Sequence, residues 1–227
     1  MARVYNISPR QTNLFFGSLS VNLIFILLNV ILFFVFTIMI SSNVVSIDFV
    51  AIKPSNILVG NYLWTFLTSM FMHGGFFHLF ANMFSLLFIG SLVERILGRK
   101  RYFWFYMTAG LFAGLFFVLI STIPLSFFSA DFNTFAVGSS GAIFGLIGLL
   151  MLLTPNLPVY LMFIPIPIKM KYAAPGMLVL LWLISAAGNV SIGNTAHLGG
   201  LIIGLVYGIY LKSKYKNKTK MIGKHFS

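Results

Sequence analysis

The stretch GSSGAIFG, residues 138–145, sets two serines among three glycines where an apolar run begins. A serine hydroxyl becomes a nucleophile only when a neighbouring base takes its proton, and imidazole, with an unperturbed pKa near 6.5, suits that task. Three histidines occupy comparable places: His73 and His78 in MHGGFFHLFANMF, followed by Asn82, and His197 in TAHLGGLIIG. The chemistry on offer is attack by Ser140 on a carbonyl, with His197 removing the proton and returning it to the leaving group. The tetrahedral oxyanion then needs preorganised donors, each worth about 3 to 4 kcal/mol. The Ser140 backbone N–H, the His78 ring and the Asn82 amide are the candidates. His225, in the basic tail, is given no role.

The rest of the composition narrows the alternatives. The only acids are Asp48, Glu94 and Asp131. A facing carboxylate pair inside the membrane is therefore out of reach, as is a glutamate base on an HExxH helix. No lysine falls inside an apolar span, which removes a serine–lysine pair, and the absence of cysteine removes thiol chemistry and zinc–thiolate sites. With no carboxylate to orient His197, packing against Phe144, one turn after Ser140 on the same face, is the available substitute. No cofactor is implied.

These residues must be positioned by membrane helices. Of the 227 residues, 59% are hydrophobic and only 8% charged, and the mean hydropathy is +0.98, far from the profile of a soluble domain. Six segments approach the length of about 20 residues needed to cross the hydrocarbon core: 19–40, 76–97, 102–124, 138–154, 174–189 and 195–211. The stretch LPVYLMFIPIPIKMKY is read as an interfacial loop, because its prolines break a spanning helix. Net charge +12 would indicate nucleic acid in a soluble protein, but here fourteen of the fifteen Lys and Arg residues fall on one side of the spans and only Lys53 on the other. By the positive-inside rule both termini are cytoplasmic, and nucleic acid is not expected as a partner. The chain divides into a cytoplasmic segment 1–18, a membrane domain 19–211 and a basic tail 212–227. The tail is read as a solvated flank that can also attract anionic lipid headgroups.

In this topology the second, fourth and sixth spans run in the same direction. His78, Asn82, Ser140 and His197 all lie in their first turns, within about 10 Å of depth of one another below the outer surface. Gly141 and Gly145 form one small-residue stripe, and Gly200, Gly204 and Gly208 another. Such stripes let membrane helices approach backbone to backbone. If they face each other, Ser140 and His197 come within hydrogen-bonding reach.

At these residues the sequence resembles the rhomboid family of intramembrane serine proteases. GSSG matches the family's GxSG, with Gly138 opening it, Ser140 as nucleophile and Gly141 closing it. AHLGGLIIG matches AHxxGxxxG, with His197 as base and Gly200 and Gly204 as its glycines. HGGFFHLFANM fits the histidine, histidine and asparagine pattern that the resemblance assigns to His78 and Asn82 as oxyanion donors and to His73 in support. VERILGRK resembles the ERxxG stretch, and IPIPIKMKY the proline-bearing loop before the fifth span. Two positions depart from the pattern. Trp64-Thr65 stands where Trp-Arg is common, and Phe144 stands where tyrosine is frequent. The resemblance covers about residues 58–210. It implies an all-α membrane fold, a six-transmembrane-helix rhomboid-like bundle. It further implies cleavage of transmembrane protein substrates near the outer end of a span, at a small residue beside helix-weakening residues, with a plasma (inner) membrane as the expected location. The fifth span, with Gly176 and Gly188 near its ends, is the element expected to move aside for substrate.

Other readings fit parts of the pattern. Buried Ser, Asn and His also serve as interhelical hydrogen-bonding groups, worth about 0.6 kcal/mol each. A small transporter or channel would carry polar residues through the whole membrane, whereas here they stop near one surface. An inactive rhomboid-like binding protein would lack Ser140 or His197. A metal site of His73, His78 and His197 suffers because two imidazoles five positions apart on one helix point about 140° from each other, unless His73 precedes the helix.

Overall fold

The computed structural model describes residues 20–124, 131–160, 166–188 and 192–226. The described residues are mostly helical: α1 (Val21–Ser41), α2 (Phe76–Leu97), α3 (Arg99–Ser121), α4 (Ser140–Leu153), α5 (Met170–Gly188), α6 (Asn194–Lys214) and α7 (Lys216–His225). Five of them, α1, α2, α3, α5 and α6, are long and apolar enough to cross a membrane. With 14 residues, α4 rises only about 21 Å, against a hydrocarbon core of about 30 Å. It is the central element. Leu146, Leu149 and Leu150 are fully buried, and α3 and α6 pack along its length. By contrast α1 presents Leu27, Ile31, Phe34 and Ile38 outward, as a helix in contact with lipid chains does. The chain is an integral, multi-pass membrane protein.

Segment 1–18, with Arg3 and Arg10, lies outside the described residues. Elsewhere the helices depart from the expected spans in three places. First, α3 begins at Arg99 because Gly98, at φ +80°, turns the chain directly from α2 into it. Second, α5 begins at Met170 and carries Pro175 inside it. The cost is the hydrogen bond to the Lys171 carbonyl, near the helix start, where its loss does least damage. The proline-bearing loop before α5 is a short hairpin, in which β1 (Pro158–Val159) pairs antiparallel with β2 (Ile168–Lys169); residues 161–165 lie outside the described set. Third, α6 runs on to Lys214, and the tail after Tyr215 is helical, with Gly223 of α7 close to the Leu153 carbonyl at the end of α4.

Within α2, Leu86–Gly90 widen into a π-helical turn, and a side chain from α1 accounts for it. Asn22 donates from Nδ2 to the Leu86 carbonyl at 2.7 Å and accepts the Tyr102 hydroxyl at 2.6 Å, and its Oδ1 occupies the space that a Cβ on Gly90 would need. One turn on, the buried Glu94 carboxylate accepts the Val21 and Asn22 amides at 2.8 and 2.9 Å. These amides open α1 and have no acceptor in their own helix. The one acid within the α2 span is thus a cap supplied by a neighbouring helix.

Before α2 the chain forms two one-turn helices, Pro54–Leu58 and Thr65–Thr68. The Trp64 indole donates to the Phe49 carbonyl at 2.9 Å. Thr65, where the resemblance has arginine, is fully buried and donates to the Tyr62 carbonyl at 2.7 Å. This segment meets the residues before α4 through a bridge between Ile52 and Ala136.

Candidate active site

The glycine stripes face each other. A Cβ on Gly200 would strike the Gly141 carbonyl, and one on Gly204 the Gly145 carbonyl. Both partners advance by four residues in the same sense, so α4 and α6 run parallel with their backbones in contact. On its other side α4 meets α3, where a Cβ on Gly141 would lie 2.6 Å from the Ala113 methyl and one on Gly145 2.6 Å from that of Ala109. Neither helix can take a side chain along this seam. Their first turns are consequently held together, and His197 Nε2 lies 2.8 Å from Ser140 Oγ.

His197 is buried, and its ring stacks on Phe144 with centroids 4.6 Å apart and planes at 20°. The stack fixes the plane of the imidazole. In the tautomer with the hydrogen on Nδ1, Nε2 accepts the serine proton across the contact with Ser140 Oγ.

Gly138 precedes the serines at φ +118°, a conformation that side chains other than glycine rarely adopt. A Cβ there would also lie 2.8 Å from His78 Nε2. The Gly74 amide donates to His78 Nδ1 at 3.4 Å. That leaves Nε2 as the protonated nitrogen, directed at the turn that holds Ser140. His78, Gly138, Ser140 and His197 line one cavity of about 600 Å³, with Met70 and Phe77 among its apolar walls.

The remaining candidates stand further back. Asn82 is buried and donates from Nδ2 to the His78 carbonyl at 3.0 Å; it is absent from the cavity lining. His73 precedes α2, fully buried, with Nε2 3.5 Å from Ser139 Oγ and its ring edge-on to His78 at 5.1 Å. Burial, and then the neighbouring His78, push its pKa down to about 3. His73 is therefore a neutral hydrogen-bonding group.

Two contributions were not read from the sequence. Ser139, also fully buried, ties the turn that holds Ser140 to His73. On α3, Gly110, Ala113 and Gly114 form part of the cavity wall. Their small-residue spacing, GLFAG, was the available signal.

Residues 60–214 match the family described as Rhomboid domain. RHOMBOID-like protein 1 of Arabidopsis thaliana is 34% identical over 167 residues, covering 70% of this chain and 37% of that protein. Rhomboid protein 1, mitochondrial, of Saccharomyces cerevisiae is 28% identical over 160 residues, 67% of this chain and 43% of the other. Rhomboid protease GluP of Bacillus subtilis is 28% identical over 185 residues, 80% and 32% respectively. The chain thus spans less than half the length of each of these relatives.

Proposed function

The chain belongs to the rhomboid family, and from that premise we propose that it is an intramembrane serine protease acting through a Ser140–His197 dyad. The observation that carries this reading is the 2.8 Å contact between His197 Nε2 and Ser140 Oγ at the edge of a cavity. As Oγ bonds to the substrate carbonyl carbon, its proton passes to Nε2. The carbonyl oxygen, now an anion, is met by the Ser140 amide at the free start of α4 and by His78 Nε2–H. Collapse of the tetrahedral species expels the amine, which takes the proton back from His197. Water then repeats the sequence on the acyl-enzyme, and His197 again acts as base.

Asn82 supports this arrangement through the His78 carbonyl, and His73 through Ser139. The substrate is a transmembrane segment that unwinds locally, because peptide bonds inside a helix are engaged in its own hydrogen bonds. The sorting of Lys and Arg supports a dyad near the outer face and both termini in the cytoplasm; six crossings and a plasma (inner) membrane belong to the same proposal. Access of the substrate by displacement of α5 belongs to the same reading, and cysteine tethering of α2 to α5 is its test: cleavage that survives the tether overturns it.

Labelling of the detergent-solubilised protein with a fluorophosphonate tests the dyad. The parent is expected to label, and Ser140→Ala and His197→Ala are not. Labelling that persists in either variant, or that is absent from a folded parent, overturns the assignment.

A further inference from the structure

A second cavity, of about 520 Å³, lies apart from the dyad, between α2, the β1–β2 hairpin and the first turns of α5. Its walls are Phe84, Phe88 and Leu92 of α2, Leu157 before the hairpin, and Met170 and Met177 of α5, with Ser85 as a rare polar contributor. The Ser85 hydroxyl is turned back onto the Ala81 carbonyl at 2.8 Å. From Phe84 to Leu92 the groove follows α2 for about 12 Å. Protein interiors do not keep voids of this size, and an apolar lining offers water too few partners to hold it. In a chain that spans a membrane, the matter next to such a groove is hydrocarbon.

The groove's mouth has the chemistry of a headgroup layer. Lys169, exposed on β2, and Lys171, opening α5, flank the groove residue Met170. Tyr160, which lines the groove, and Tyr172 beside it are 69% and 62% exposed. Tyrosine at this depth marks a membrane interface. Glu94, the one carboxylate on α2, is engaged by the α1 amides, so nothing acidic at this end of α2 opposes an anion.

We propose that this groove is a phospholipid site: one acyl chain lies between α2 and the start of α5, and an anionic headgroup rests on Lys169 and Lys171. The site lies apart from the dyad, and the proposal does not rest on protease activity.

The test uses the full chain, reconstituted in vesicles of equal phosphatidylglycerol and phosphatidylcholine and released in mild detergent, with retained phospholipid counted by native mass spectrometry. The parent is expected to keep one phospholipid per chain, with phosphatidylglycerol preferred by roughly tenfold or more, as two lysines at a charged surface supply. Ser85→Phe and Leu92→Trp, which fill the groove from two positions, are expected to abolish retention while thermal unfolding stays cooperative. Lys169→Gln with Lys171→Gln is expected to keep the lipid and lose the preference. A parent that retains no phospholipid, a cooperatively folded filled variant that retains it, or a lysine variant that still prefers phosphatidylglycerol overturns the proposal. Should one filled variant fail to fold, the other decides.

Discussion

Replacing Gly200 with alanine tests whether the seam between α4 and α6 sets the proposed dyad. The new methyl meets the Gly141 carbonyl, a backbone atom that no rotamer change can move aside. The helices must separate by on the order of 1 Å, and misplacement of that size at a reacting group costs about 10²-fold in rate. The 2.8 Å contact between Ser140 and His197 then passes beyond the range of an effective hydrogen bond. Overpacking of this kind also lowers stability, by about 1 to 3 kcal/mol. The assay is the second-order rate of fluorophosphonate labelling beside thermal unfolding of the same preparation. Gly176→Ala in α5 is the control, because a Cβ there meets nothing within 4 Å, and it is expected to label and melt like the parent. Gly200→Ala labelling at the parental rate, or a Gly176→Ala loss of equal size, would refute the reasoning.

Gly138→Ala is expected to lower labelling at least as strongly as Gly200→Ala, because the residue combines φ +118° with the approach of His78 Nε2; a parental rate would remove His78 from the oxyanion role. His78→Ala is expected to cost about 3 to 4 kcal/mol in cleavage, the worth of an oxyanion donor, and Asn82→Ala distinctly less, since its amide bonds back to the His78 carbonyl; comparing kcat/KM on a reconstituted transmembrane substrate decides the order. Phe144→Ala is expected to slow labelling by about three- to tenfold, from a ring stack worth about 0.5 to 1.5 kcal/mol, whereas Phe144→Tyr keeps the stack and labels normally. Glu94→Gln leaves one of the two α1 amides facing an NH2 donor and the other with a neutral acceptor, and is expected to cost about 1 to 3 kcal/mol of stability, visible as a lower melting temperature with the labelling rate of the folded protein unchanged.

The residues with nucleophile, base and stacking chemistry were legible because their types are rare in a hydrocarbon environment and their placement at helix starts follows from chain order. The facing of Gly141 with Gly200 was legible for a related reason: small residues four apart leave a groove that only another close backbone fills. Contacts that depend on tertiary register were hidden. Nothing in Asn22 or Glu94 alone announces that they meet across 72 positions, or that the Asn22 side chain reaches the Leu86 carbonyl in the π-helical turn. The start of α5 at Met170, four residues before the expected span 174–189, was hidden because Pro175 sits in the first turns, where the helix loses a single bond. Asn82 shares a face with His78 by spacing. Its amide nevertheless bonds to the His78 carbonyl four residues back, which spacing alone does not disclose.

The depth of the site follows from the mismatch between α4 and its partner. The contacts of Gly141 with Gly200 and of Gly145 with Gly204 set Ser140 opposite the second turn of α6, so α6, which starts at Asn194, extends above Ser140 by more than a turn. Gly193 contributes to the cavity wall, and Thr195 donates to the Asp131 carboxylate at 2.9 Å, which ties α6 to the chain leading into α4. The bridge between Ile52 and Ala136 and the bond from the Gly138 amide to the Ser69 carbonyl at 2.8 Å close the same wall from the segment before α2. A helix too short to span the bilayer alone is thereby completed at its start by backbone from three directions. In the proposed topology, irregular chain at membrane depth must be buried in protein or line a cavity, and the backbone around Ser140 meets both conditions.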